Sequence, residues 1–92
     1  LNNYKIFETN EFQKKIDKTS NREKIFIVKK LRQLVYPQLR KQPHYGNNIK
    51  KLVAYKPETW RYRVGRYRLF YVIDENEKTI YIVSMDLRKD AY

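Results

Sequence analysis

Residues 60–71 read Trp60-Arg61-Tyr62-Arg63-Val64-Gly65-Arg66-Tyr67-Arg68-Leu69-Phe70-Tyr71. Two runs rich in aromatic and branched residues flank Gly65-Arg66, the pattern of a two-residue hairpin. Glycine at the first loop position suits a type II′ turn, because it enters the φ > 0 region without a Cβ clash. That turn sets Val64 opposite Tyr67, Arg63 opposite Arg68, Tyr62 opposite Leu69 and Arg61 opposite Phe70. Side chains alternate between sheet faces, so the register sorts the residues into two sets. Trp60, Tyr62, Val64, Tyr67, Leu69 and Tyr71 make a core face. Arg61, Arg63 and Arg68, with Phe70 beside them, make the other.

Three arginines with no acidic residue interleaved repel one another, since like charges facing across a strand pair destabilise it. Arginine is also the side chain best shaped for forked contacts with phosphate oxygens. Two readings follow: a solvated strand face with snorkelling arginines, or a phosphate-binding surface.

The chain has 92 residues, the size of one small domain spanning 1–92. It has no cysteine, which removes disulfides and thiolate metal sites and suits a reducing compartment. With one histidine, His44, no transition-metal set can be completed and no metal site is expected. In so basic a loop that histidine reads as a solvated side chain. No apolar run reaches the roughly 18–20 residues of a membrane span and no signal-peptide pattern opens the chain, so a soluble, cytoplasmic protein without membrane partners is expected. The net charge of +11 attracts polyanions at long range, which points to nucleic acid or an acidic protein. Nine tyrosines and 41% hydrophobic residues argue for a folded core despite that charge.

Outward from the hairpin, Tyr4 to Thr9 reads as a first strand. Asn10 with Gln13 approximates a capping box for a short helix, in which Phe12 and Ile16 share a face, ending near Thr19. Ser20 with Glu23 is a cleaner box. Its helix carries Ile27, Leu31, Leu34 and Val35 at helical spacing, widened by Ile25, Phe26 and Val28, and Pro37 is expected to end it. Tyr36 to Asn48 reads as loop. Ile49 to Tyr55 is a second strand, and Thr79 to Met85, apolar on both faces, is a last and interior one. The expected fold is α+β: a small, mostly antiparallel sheet in the order β-α-α-β-β-β-β, with the helical hairpin packed on one face.

This order, and two motifs, resemble the RelE/ParE superfamily of toxins from type II toxin–antitoxin systems. The first motif is Tyr62 to Tyr71, similar to the family's arginine-rich hairpin with a glycine before a Tyr-Arg pair. The second is Leu87-Arg88-Lys89-Asp90-Ala91-Tyr92, similar to endings of His-Arg-Lys-Asp-Val-Tyr type. Lys51-Leu52 also sits where relatives often carry a Lys-Leu pair. The resemblance covers essentially the whole chain. It implies a toxin held inactive by a cognate antitoxin in a hetero-oligomer. RelE-like members cleave mRNA in the ribosomal A site without a metal or other cofactor; ParE-like members inhibit DNA gyrase and are not nucleases.

By the RelE likeness Arg61, Arg63 and Arg68 match basic residues that act on the scissile phosphate, and Tyr92 matches a contributing tyrosine. Arg88 is a further catalytic candidate. Lys50, Lys51, Arg66 and Lys89 are expected to contact RNA. Two positions depart from the family. Leu87 stands where many relatives carry histidine, and Asp86 where some carry an arginine general acid. Cleavage by the RNA's own 2′-hydroxyl needs that group deprotonated, the phosphate's charge stabilised and the leaving 5′-oxygen protonated. Arginines meet the second need, but as permanently protonated groups they make poor bases. The resemblance therefore implies an mRNA endoribonuclease acting with the ribosome; a gyrase inhibitor, or an RNA-binding relative with impaired chemistry, are the alternatives.

Overall fold

The computed structural model describes residues 3–87. It runs β1 (Lys5–Glu8), α1 (Asn10–Asp17), α2 (Asn21–Lys30), a π-helical turn (Leu31–Val35), α3 (Tyr36–Lys41), β2 (Ile49–Lys51), β3 (Trp60–Val64), β4 (Tyr67–Asp74) and β5 (Thr79–Asp86). The strands form one sheet in the order β1-β5-β4-β3-β2. β1 runs parallel to β5 and every other pairing is antiparallel. This is the α+β arrangement expected, with β5 interior.

The hairpin forms in the register set by its turn, from Val64 opposite Tyr67 to Trp60 opposite Tyr71. Gly65 takes φ +59° while Arg66 stays at negative φ, the sign pattern of a type II′ turn. Trp60, Tyr62, Val64, Tyr67, Leu69 and Tyr71 are all buried. They meet Ile80, Ile82 and Met85 of β5, and Phe12, Ile16, Ile27, Leu31 and Val35 from the helical layer. Each buried aliphatic side chain of this kind stabilises the fold by about 1.5–3 kcal/mol. The buried tyrosines also satisfy their hydroxyls. Tyr71 donates to Pro43 O, Tyr62 to Gln38 Oε1 and Tyr36 to Glu8 Oε2, each at 2.6 Å. Such partners are what a core this rich in tyrosine requires.

The helical region departs from expectation in three ways. The cap of α1 is Thr9 rather than Asn10: Thr9 Oγ1 accepts from Phe12 N at 3.3 Å, whereas Ser20 caps α2 as expected, accepting from Glu23 N at 3.2 Å. Pro37 does not end the helix. It sits in the first turn of α3, where a missing N–H costs nothing, and the preceding turn widens so that Tyr36 N–H reaches back five residues to Leu31 O. The helix thus continues to Lys41 through what reads as loop. The wide turn offsets the helical register by one residue. Val35, Tyr36 and Leu39 turn inward, and Leu34, expected in the core, is 51% exposed. Ile25 and Phe26 are likewise exposed instead of widening the core stripe.

β2 is shorter than the expected Ile49–Tyr55, because pairing stops at Lys51 and Ala54 turns to φ +64°. Among the described residues, no helix is long and apolar enough to cross a membrane.

Candidate functional site

The helices cover one face of the sheet. The other is read directly from the strand register. Residues directly opposite in neighbouring strands share a face, and rows repeat about every 7 Å along the strands. One row is Asp86, Arg68, Arg63; the next is Ser84, Phe70, Arg61, Lys50; a third is Phe7, Tyr81, Val72. Three guanidinium groups, one ammonium group and a half-buried phenyl ring therefore share one end of the open face.

A β-bulge decides which β5 residues join them. Below it, Tyr71 pairs with Ile82; above it, Phe70 pairs with Ser84 and Arg68 with Asp86. Val83 is the extra residue. Without the bulge, Arg68 would lie opposite Met85. With it, Met85 turns into the core, fully buried, and Asp86 turns out beside Arg68. Thr9 braces the bulge: its N–H donates to Ile82 O at 3.1 Å, and its hydroxyl lies 2.8 Å from Ile82 O and 3.1 Å from Val83 O. The residue that caps α1 thus also fixes the irregularity that places Asp86.

The electrostatics are those of crowding relieved on one side. Arg68 Nη1 donates to Asp86 Oδ2 at 2.9 Å in a largely buried ion pair. Arg61 lacks such relief. Its Nε is buried with no hydrogen-bond partner among the described residues. Its pKa lies below the ordinary arginine value, first through burial and then through the neighbouring charges of Arg63 and Arg68. A buried donor without an acceptor costs about 1–3 kcal/mol. Strongly basic donors on a common face, one of them unmatched, are complementary to an oxyanion such as a phosphodiester.

The structure brings Arg61, Arg63, Arg68 and Lys50 together. It does not bring Lys51 or Arg66 to them. Lys51 points to the opposite face, being in register with Trp60, and pairs with Glu58 at 2.6 Å. Arg66 lies in the hairpin turn beside Arg22, Glu23 and Phe26 of α2. Arg88, Lys89 and Tyr92 lie outside the described residues, and Leu87 closes them, packed against the core. His44 is no freely solvated side chain: its Nε2 lies 2.7 Å from Glu75 Oε2, and its ring meets Trp60 edge-on at 5.4 Å. It ties the loop after α3 to the β4–β5 turn, on the side of the sheet away from the arginines. Among the described residues, no group of three or more His, Cys, Asp or Glu side chains could hold a metal ion.

The Arg68–Asp86 pair is the feature the hairpin alone does not reveal. Its signal lay in β5, where the period-two run Ile80, Ile82 breaks at Ser84 and resumes at Met85. A buried set that skips one step marks a bulge.

Comparison with known proteins places this geometry in context. Residues 8–92 match the family model described as the ParE toxin of the type II toxin–antitoxin system parDE. The fold is similar to that in the toxin–antitoxin complex RelBE2 from Mycobacterium tuberculosis, at 26% identity and TM-score 0.73, covering 96% of this chain and 94% of that one. It is similar to the archaeal RelE–RelB complex from Pyrococcus horikoshii OT3, at 18% identity and TM-score 0.70, covering 97% and 99%. It is also similar to the isolated E. coli RelE toxin, at 18% identity and TM-score 0.67, covering 96% and 87%. No curated protein sequence matches the chain.

Proposed function

The chain belongs to the ParE toxin family of type II toxin–antitoxin systems, within the RelE/ParE superfamily, and from that premise we propose that it is an endoribonuclease that cleaves mRNA on the ribosome and so stops translation. The observation that carries this reading is the cluster of Arg61, Arg63 and Arg68 with Lys50 on the open face, including a buried Arg61 Nε without an acceptor among the described residues. A scissile phosphodiester supplies an acceptor for Arg61 Nε and oxygens to which the neighbouring guanidinium groups can donate. As the 2′-oxygen attacks phosphorus, charge grows on the non-bridging oxygens, and guanidinium groups already in place stabilise it without reorganising. Placement of the RNA in the A site supplies the alignment of attacking and leaving oxygens. Arg88 and Tyr92 join the site by the family likeness.

The same reading gives the chain, as a single domain, a cognate antitoxin. An acidic and apolar segment fits the basic face and the groove between the helices lined by Phe12, Ile16, Val28 and Leu31. Recovery of a stoichiometric small protein with the toxin from its host, at low and high salt, is expected; recovery of nucleic acid alone counts against the pairing.

The rival reading is a gyrase-inhibiting toxin, favoured by the ParE description of the matched family. Primer extension on a translated message, run beside a gyrase supercoiling assay, separates the two. The endoribonuclease yields new 5′ ends at in-frame codons, and Arg63→Ala or Arg68→Ala lowers the rate roughly 10²–10³-fold, as loss of one oxyanion donor does. Gyrase inhibition with no cleavage transfers the protein to the rival class.

A further inference from the structure

We propose that Asp86 is the group that receives the proton of the attacking 2′-hydroxyl, and so the residue through which the site selects ribose over deoxyribose; the proposal rests on the endoribonuclease reading above. Asp86 is the one acidic side chain in the two arginine-bearing rows of the open face, among the described residues. The bulge at Val83, braced by Thr9, sets it there, 2.9 Å from Arg68. Among the described residues, the charged groups that share its row or its recess are cations: Arg68 on β4, Arg63 beyond it on β3, and Lys15 and Lys18 of the α1 end.

A carboxylate beside a phosphate site presents a physical problem that identifies its partner. An ionised aspartate only accepts hydrogen bonds. A phosphodiester held by Arg68 would meet it oxygen against oxygen, two like charges at close range. The contact becomes more favourable when a donor of the nucleotide stands between them. Next to the scissile phosphate, a ribonucleotide carries one sugar donor, the 2′-hydroxyl, and a deoxyribonucleotide carries none. With O2′–H donating to Asp86, the oxygen's remaining lone pairs are free to face phosphorus.

The step then balances. The O2′–H bond breaks and the proton passes to the Asp86 carboxylate. The O2′–P bond forms as the P–O5′ bond breaks. The leaving 5′-oxygen takes a proton from water, giving a 2′,3′-cyclic phosphate and a 5′-hydroxyl. Asp86 returns its proton to solvent before the next turnover. Arg68 has two tasks in this arrangement, binding phosphate and orienting the carboxylate.

The test is single-turnover cleavage of a ribosome-bound message across a pH series, with wild type, D86N, D86E, R63A and R68A, each checked for folding by its thermal transition. Asparagine keeps an oxygen that accepts from Arg68 but cannot take up a proton, so D86N separates catalysis from positioning. The expected result is a loss of about 10²–10⁴-fold in D86N, the range of general-base contributions, together with loss of the acidic limb of the pH–rate profile. D86E keeps the limb at reduced rate, and it carries the test should D86N fail to fold. Cleavage by D86N within about threefold of wild type, with the same pH profile, would overturn the proposal and leave Asp86 as a support for Arg68. The endoribonuclease reading survives that outcome if R63A and R68A are still impaired. Undiminished cleavage by R63A and R68A would overturn the site itself, and the role of Asp86 with it.

Discussion

The two faces of the β3–β4 hairpin come from the same dozen residues and obey opposite rules. Inward, every side chain from Trp60 to Tyr71 is buried and every buried hydroxyl named above has an acceptor. Outward, Arg61, Arg63 and Arg68 crowd together; among the described residues Arg61 Nε has no acceptor and Asp86 is the one carboxylate in their rows. The inner face is built for stability alone. The outer face is less stable than it need be, a difference that supports the proposed site. A sheet covered on one side can tolerate such a face because the other side supplies the binding energy of the core.

Substitutions on the two faces should therefore move stability in opposite directions. The largest effect is expected at Leu69, fully buried at the centre of β4. Leu69→Ala should lower unfolding free energy by about 2–5 kcal/mol in urea titrations, with the activity of the remaining folded fraction unchanged. At the turn that joins the faces, Gly65→Ala should cost about 1–2 kcal/mol, because a Cβ is strained at φ +59°. Packing adds no further penalty, since the nearest atoms of Phe26 lie at an ordinary 3.8 Å. On the outer face the sign reverses. Arg63→Gln removes a charge that depresses the Arg61 pKa, so it should raise stability by about 0.2–1 kcal/mol, a few degrees in melting temperature, while cleavage falls. An equal or lower melting temperature would show that the arginines do not strain the fold.

The smallest effect lies away from both faces. Glu75 is held below its ordinary pKa, chiefly by its hydrogen bond with His44 and then by that from Tyr4. A carboxyl depressed in the folded state contributes stability above its unfolded pKa and loses it as pH falls through the folded value. Wild type should lose stability relative to Glu75→Gln as pH drops below the ordinary glutamate range of about 4.3. Because Glu75 is exposed, the difference should stay within the roughly 0.2–1 kcal/mol of surface pairs. Parallel acid denaturation curves for the two proteins would remove the effect.

What could be read from the sequence was what neighbouring residues decide. The hairpin register follows from one glycine and an alternating pattern, so both faces and three of the site's cations were legible before any coordinates. The helical caps are nearly so: the sequence points to Asn10, one position past the actual cap at Thr9. Pro37 reads as a stop because the rule against proline inside helices considers only an ordinary turn, and the π-helical turn avoids the conflict. Leu34 followed the same error. Asp86 was legible as a residue but not as a neighbour of Arg68. Its placement depends on a bulge in β5 and on Thr9, elements 74 positions apart in the chain. Lys51 lies apart from the arginine cluster because strand parity sends it to the opposite face from Lys50.

Because Lys5 pairs with Thr79, a chain growing from its N-terminus carries β1 with an empty edge until β5 has been made. At about 5–20 residues per second, that wait lasts roughly 4–15 s. The arginine hairpin is complete before β5, so in the last part of that interval it lacks the strand bearing Asp86 and the sheet lacks its parallel pair. A chain truncated before Thr79 should therefore be protease-sensitive and, on the proposed function, inactive toward message, even with all three hairpin arginines present. β5 lies between β1 and the hairpin in the sheet, so the two become one structure only when that strand is made, and whatever the open face does waits on it.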